Sequence, residues 1–310
     1  MKLFIAFLQP WMKRTLLIWE LWVPAKRKIS IPFLFILVVA SQVNAQEPSD
    51  ALRYSWVVPN GTARQQAIGG AMGSLGGDIS SAYVNPAGLG FYKTGDFVVT
   101  PGYNFSNNKS TFLNRTETEK KNSFNLGTSG VVLGAGGRRG SKVSSSAFVI
   151  AVNRSANLNN SILYRGQNTS TSYSQKFLEE IRNANEGDAN NVAGNYPYGS
   201  SLAFNTYWID TIGGGSNGNF EFQSRATPLL ATGLLQENTL YTTGGITELA
   251  FGGGASFNDK IYVGGTLGIP FLRYDRLSTF TEVDATDNPM NQFNFATIEE
   301  NLTTSGMVLI

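Results

Sequence analysis

Five segments of the chain alternate apolar residues with polar or small residues at a period of two. In the last of them Ile261, Val263 and Leu267 fall on one face, and mostly small or polar residues fall on the other. This period indicates β-strands with one apolar face. The second segment has the weakest pattern, with a bulge expected near Gly130. The predicted strands are residues 96–106, 123–135, 143–154, 246–257 and 260–271, and a sixth strand is expected to begin at Leu302.

The lengths of these segments and of their connections favour a membrane protein. Each segment has about 11 to 13 residues, close to the ~9–11 that a tilted strand needs to cross a bilayer. Two connections are short, namely 136–142 and the two-residue turn Asn258-Asp259. The other connections are long and comprise 107–122, 155–243 and 275–301. Short turns that alternate with long loops are typical of outer-membrane barrels.

The predicted fold class is therefore all-β, a transmembrane antiparallel β-barrel. Residues 96–310 hold five to six of its strands, with long external loops. Bacterial barrels close with an even number of about eight or more strands, so we expect the sequence to lack a C-terminal part. The alternative is a smaller soluble β-sandwich, because the same alternation suits a half-buried antiparallel sheet.

A short amphipathic helix is expected at 174–185, inside the longest connection. Phe177, Leu178 and Ile181 have helical spacing there, among charged residues. Such a helix either caps the barrel mouth or touches ligand, or it simply packs within an external loop.

Residues 1–45 have the layout of a secretory signal peptide. The basic residues Lys26, Arg27 and Lys28 precede an apolar run of twelve residues, and Val43-Asn44-Ala45 supplies a small-x-small cleavage pattern. Twelve apolar residues are fewer than the ~20 of a spanning helix. We expect cleavage after Ala45. An uncleaved anchor is the alternative.

Composition excludes several kinds of chemistry. The chain has neither Cys nor His, so it cannot form a disulfide framework, a Cys or His metal site or a Ser-His pair. No cofactor, metal site or catalytic residue is expected. Charged residues make up 15% of the chain, well below the roughly 25% of a soluble domain. Without the signal peptide, 18 basic and 21 acidic residues remain, so nothing suggests a nucleic-acid partner.

A glycine-rich stretch follows the signal peptide and precedes the first strand. It contains Gly61-Thr62-Ala63-Arg64, Leu75-Gly76-Gly77-Asp78 and Asn85-Pro86-Ala87-Gly88-Leu89-Gly90. Small residues permit close backbone approach and Asn-Pro favours a turn. These properties are those of a compact, tightly turning segment, and residues 46–95 are predicted to form an N-terminal plug.

The order of these motifs resembles the FadL/TodX family of outer-membrane hydrophobic-compound transporters, in the form common in Bacteroidetes. Residues 245–274 also resemble that branch. The resemblance implies a 14-stranded barrel with an N-terminal plug, in which Asn85, Pro86, Ala87 and Gly88 belong to the plug motif. It also implies that hydrophobic molecules are captured outside the cell and leave sideways through a gap in the wall.

The predicted function is passive uptake of a hydrophobic small molecule, such as a long-chain fatty acid or an aromatic hydrocarbon, across the bacterial outer membrane and without chemistry. The alternative is a general porin or structural barrel. A hydrolase would need groups that these residues do not supply. Expected partners are the ligand, outer-membrane lipid, lipopolysaccharide and the barrel assembly machinery.

Four charged residues are candidates for a role inside the barrel or in its loops. By strand parity Glu248 faces the lumen, where a buried carboxylate would pair with a plug arginine such as Arg64. Arg165 and Lys176, in the longest connection, could meet a substrate carboxylate, although both also suit solvated surface.

Overall fold

A computed structural model describes residues 48–55, 60–214, 219–286 and 292–307. The predicted signal peptide and its cleavage site lie outside these residues. The described chain is mostly antiparallel β-sheet, which confirms the all-β prediction. None of the described helices is long and apolar enough to cross a membrane.

Eleven strands occur in the described residues. They are β1 Asp96–Val98, β2 Pro101–Phe112, β3 Arg115–Leu126, β4 Ser129–Gly136, β5 Val143–Asn157, β6 Asn160–Asn168, β7 Ile209–Gly214, β8 Phe220–Ser224, β9 Leu234–Phe257, β10 Ile261–Asp284 and β11 Phe295–Met307.

The main sheet has seven strands in the order β1-β4-β5-β9-β10-β11, with β6 also paired to β9. The strands β5 and β6 follow one another along the same edge of β9, so together they act as one long strand. Two hairpins, β2-β3 and β7-β8, form separate two-stranded sheets.

Two predicted strands, 96–106 and 123–135, are each interrupted, at 99–100 and 127–128, and their parts belong to different sheets, so predicting each as one strand was wrong. Two other strands extend well past their predicted ends. The 24-residue strands β9 and β10 pair along their whole length, about 80 Å at ~3.4 Å per residue. Their distal halves were predicted to belong to the long connections 155–243 and 275–301. Both predictions were wrong because polar residues such as Thr and Asn occupy both faces there, which removes the apolar alternation.

The prediction of a loop at 107–122 was also wrong, because these residues form most of the β2-β3 hairpin. Leu113 and Asn114 make its two-residue turn, and both have positive φ angles. Asn258 and Asp259 also have positive φ angles. Phe257 pairs with Ile261, however, so the connection between β9 and β10 has three residues, Asn258 to Lys260, rather than the two predicted. The predicted sixth strand is part of β11, which begins at Phe295.

The main sheet has two unlike faces. On the face that we call the exposed face, large apolar side chains point away from the rest of the molecule. The opposite face buries Val132, Val149 and Ala151 against residues of the N-terminal segment. The side chains exposed in this way include Phe97, Val131, Leu133, Phe148, Ile150, Ile261, Val263, Leu267 and Phe271.

Short helices and turns form the N-terminal segment, which we define as residues 60–92. They are α2 Ala63–Ala67, α3 Met72–Leu75, α4 Ser81–Val84 and a 3₁₀ helix at Pro86–Phe91. A separate helix, α1, spans Pro48–Ser55. Residues 60–92 therefore consist of short helices joined by turns.

Residues 169–233, which we call the insertion, connect β6 to β9 and form a hydrophobic core that also includes Leu234 and Phe293. The helix predicted at 174–185 is α5, Ser174–Asn183, and its Phe177 and Ile181 pack around Trp208. The insertion also contains two further helices, α6 Ala189–Asn195 and α7 Ser200–Asn205, and a 3₁₀ helix at Thr227–Ala231. Of the two interpretations of the predicted helix, packing within the loop agrees with this burial.

A buried carboxylate ties the insertion to the long strands. Glu282 of β10 has no exposed surface. It accepts hydrogen bonds from Ser172 Oγ at 2.7 Å, Gln236 Nε2 at 2.8 Å and Trp208 Nε1 at 3.2 Å. Because three separate parts of the chain donate to one carboxylate, Glu282 fixes the insertion to β9 and β10.

Candidate functional site

Asp78 organises the N-terminal segment. Its buried carboxylate accepts hydrogen bonds from Thr62 Oγ1 at 3.0 Å and from the Ser80 backbone N–H at 2.9 Å. The Thr62 hydroxyl oxygen in turn accepts from the backbone N–H of Gln65 and caps α2. The carboxylate of Asp78 therefore links the motif around Thr62 to the motif around Asp78. The sequence did not predict this link, because the two motifs lie 16 positions apart.

The 3₁₀ helix at Pro86–Phe91 rests on the backbone of β9 and β10. A Cβ atom at Gly254 would lie 2.9 Å from the Pro86 oxygen, and one at Gly264 would lie 2.6 Å from the Ala87 nitrogen. Such distances leave no space for a side chain, so glycine is required for this contact. Leu89, which is fully buried, and the stacked rings of Phe91 and Tyr262 complete it.

The residues expected to belong to a plug motif lie where the N-terminal segment meets the sheet. Asn85 begins the 3₁₀ helix, and its side-chain oxygen accepts from the Ala87 N–H. Gly88 approaches the backbone of Gly76 closely, because a Cβ at residue 88 would lie 2.9 Å from the Gly76 Cα.

A break in the main sheet lies beside the start of this segment. The pairing of β4 with β5 ends at Ser129 and Val152, and beyond that point β3 does not pair with β5. Gly127 lies at the break, where a Cβ would be 2.7 Å from the Gly61 oxygen. The Asn60 side chain donates to the Arg154 carbonyl oxygen at 2.9 Å. The N-terminal segment therefore touches both sides of the break.

A cleft of about 680 Å³ opens between the segment and the two sides of the break. The N-terminal segment contributes Ala63 and Gln66, the β2-β3 hairpin contributes Tyr103, and β5 contributes Arg154 and Ala156. Six of the lining residues are Asn or Gln, namely Asn60, Gln65, Gln66, Asn104, Asn125 and Asn157. The cleft thus combines aliphatic and aromatic surface with amide groups.

Among the described residues that line this cleft, Arg154 is the one cation. Its half-buried guanidinium donates to the Gly244 carbonyl oxygen and, at 3.4 Å, to Thr247 Oγ1. Its Nε has no hydrogen-bond partner among the described residues. No local sequence pattern singles out Arg154, because its position depends on the pairing of β5 with β9.

Glu248 and Arg64 are not brought together. Glu248 lies on the face that carries the N-terminal segment, where its carbonyl oxygen accepts from the Tyr83 hydroxyl at 3.2 Å. Arg64 is exposed and donates weakly to the Gly77 carbonyl oxygen at 3.5 Å. No ion pair between the two occurs among the described residues, so the expected pairing is absent there.

The two candidate loop cations lie away from the cleft. Arg165 of β6 pairs with Glu237 of β9 at 3.3 Å. The Lys176 ammonium lies 5.3 Å from the centre of the Tyr173 ring on the insertion. Within the described ranges no group of three or more acidic side chains could hold a metal ion.

Comparison with known proteins gives no relative. The sequence matches no protein-family model, no curated protein and no solved structure.

Proposed function

We propose that the chain forms the wall and the plug of an outer-membrane β-barrel of the FadL/TodX kind. The observation that carries this proposal is the exposed face of the main sheet. On β10 it stays apolar from Ile261 to Phe271 and first becomes charged at Arg273. Eleven residues at ~3.4 Å per residue, tilted as in barrels, match an apolar band of about 25 Å. Monomeric soluble proteins rarely expose so large an apolar surface.

The opposite face supports the assignment of the plug. The N-terminal segment lies against this face through the buried side chains of Ile79, Ala82 and Leu89. In a barrel this face would surround the lumen, and residues 60–92 would fill it. The distal halves of β9 and β10 would then project beyond the bilayer and carry the insertion outside the cell.

The cleft is proposed as the passage for a hydrophobic small molecule. It lies where the wall is interrupted, so a molecule bound there would face both the segment and the surrounding lipid. Apolar burial supplies about 25 cal/mol per Å². Amides and the Arg154 guanidinium suit a polar head group, so we favour a long-chain fatty acid over an aromatic hydrocarbon as the ligand.

Uptake by whole cells tests the proposal. Cells that carry the full-length gene should take up labelled oleate faster than cells without it. Replacing Ala63, which lines the cleft, by Trp should reduce this uptake several-fold. Ala67→Trp is the matched control, because Ala67 lies on the same helix but does not line the cleft. Equal uptake with and without the gene would refute the proposal.

The amide-rich lining also suits polar solutes, which keeps a general porin as the second candidate. Liposomes that contain the protein should not swell in sugar solutions if the segment closes the lumen. Swelling at porin-like rates, unchanged by Ala63→Trp, would favour the porin instead.

A further inference from the structure

The outward face of the β2-β3 hairpin carries aromatic rings followed by lysines. Near the base of the hairpin Tyr103, Phe105 and Phe124 are 54%, 81% and 66% exposed. Tyr103 lies directly opposite Phe124 in the strand register. Farther towards the tip the same face presents Lys109 and Lys120, both exposed.

The two lysines are close neighbours. Lys120 lies opposite Asn107 and Lys109 lies opposite Thr118, so the lysines form a diagonal pair. Diagonal neighbours across an antiparallel pair are about 7–8 Å apart. Two flexible ammonium groups at that separation can contact one anionic group together.

No acidic residue of the hairpin lies on this face. Glu117 and Glu119 belong to the opposite, half-buried face of β3, because their partners are Ser110 and Asn108. Among the described residues neither Lys109 nor Lys120 takes part in an ion pair. The outward face is therefore locally cationic although the chain beyond residue 45 is slightly acidic.

The other face of the hairpin is fixed to the neighbouring strands. The Asn108 side chain donates to the Ser161 carbonyl oxygen at 2.7 Å. The Lys121 ammonium lies 3.3 Å from the centre of the Tyr241 ring, a cation–π contact. These contacts hold the aromatic residues and the two lysines in a set orientation.

We propose that this face binds the phosphate-bearing head group of an outer-leaflet lipid, and this inference rests on the proposed membrane location. Aromatic side chains favour the boundary between acyl chains and head groups. Lys120 is opposite Asn107, which is two residues beyond Phe105 and therefore about 7 Å farther along the strand. The head-group layer outside the hydrocarbon core is of similar depth, roughly 5–8 Å. Lysine ammonium groups at that level meet lipid phosphates.

The test is binding of bisphosphorylated lipid A to the purified full-length protein in detergent micelles, measured by native mass spectrometry. The double variant Lys109→Gln/Lys120→Gln should bind about 10-fold more weakly, which corresponds to ~1.4 kcal/mol. The matched control is Arg138→Gln/Arg139→Gln, since these exposed arginines lie in the turn at the opposite end of the sheet. Equal affinity of the lysine variant and the parent, or an equal loss in the arginine variant, would overturn the proposal.

Two further arms identify the lipid as the source of the phosphate. Lipid A stripped of its phosphates should bind the parent protein as weakly as phosphorylated lipid A binds the lysine variant. Inorganic phosphate should not displace bound lipid A at equal concentration. Displacement by inorganic phosphate would reveal a soluble-anion site and refute the lipid assignment.

Flotation of the protein with lipid vesicles separates failure of this inference from failure of the proposed function. Protein that floats with vesicles but shows no lysine-dependent binding of lipid A would overturn only the head-group site. Protein that stays in the aqueous phase would overturn both.

Discussion

Gly264→Ala should detach the N-terminal segment from the sheet without disrupting the sheet itself. The new methyl carbon would lie 2.6 Å from the Ala87 nitrogen and still nearer to the Pro86 carbonyl group. The nearest atom, the Pro86 carbonyl oxygen, would lie 2.3 Å away, and ordinary contacts begin at 3.4 Å, so the 3₁₀ helix must move by about 1.1 Å. Overpacking of this kind typically costs about 1–3 kcal/mol. Gly265→Ala is the control, because a Cβ there meets no atom within 4 Å.

Trypsin reports the detachment directly. The sequence from Gln65 to Tyr92 contains no Lys or Arg, so cleavage after Arg64 and Lys93 releases one peptide. A loss of 1–3 kcal/mol raises the detached population by about 5- to 150-fold, and release should accelerate in proportion where cleavage is slower than reattachment. The reasoning is refuted if Gly264→Ala and Gly265→Ala release the peptide at the same rate.

Three further substitutions test the contacts described above. Asp78→Asn should speed release of the same peptide, since a hydrogen bond to a charged group contributes about 1.5–3 kcal/mol; an unchanged rate would contradict the role of Asp78 as organiser. Glu282→Leu should speed tryptic cleavage within the insertion but not release of the N-terminal peptide, because the Trp208 indole N–H loses its buried acceptor at about 1–3 kcal/mol. Burial alone would raise the pKa of the Asp210 carboxyl, but hydrogen bonds from Arg225 and a backbone N–H hold it below the ordinary 3.8. The contribution of ionised Asp210 to the stability of the insertion is therefore fully present above pH 3.8. This contribution is lost as the pH falls through the lower pKa of Asp210 in the folded state. Urea unfolding followed by Trp208 fluorescence should show this loss, and Asp210→Asn should abolish it.

The parts of the fold that the sequence predicted are those with strong hydrophobic contrast. Along β10 the alternation of Ile261 and Val263 with small or polar residues predicted both the strand and its apolar exposed face. The turn at Asn258-Asp259 was predictable because its residues tolerate positive φ angles. The helix around Phe177 was predictable because its apolar residues recur at helical spacing.

The missed parts lack that contrast or depend on distant contacts. In the β2-β3 hairpin polar residues occupy both faces around Lys109 and Lys120, so hydrophobic periodicity could not predict it. The cleft requires Asn60 to meet Arg154, which is 94 positions away, and no local pattern encodes that contact. Arg64 was expected to pair with Glu248 because strand parity placed that carboxylate in the lumen, but Arg64 instead lies exposed near the start of the segment.

Single-cysteine substitution along 261–271 tests the central claim most directly, because the native chain has no cysteine to remove. Each variant of the full-length protein would carry an environment-sensitive fluorophore and be reconstituted in bilayers that contain a lipid-borne quencher. We expect strong quenching at Ile261, Val263, Leu267 and Phe271, and weak quenching at Tyr262, Thr266 and Gly268. Quenching that is absent throughout, or that shows no two-residue period, would contradict the account that this face lies against lipid.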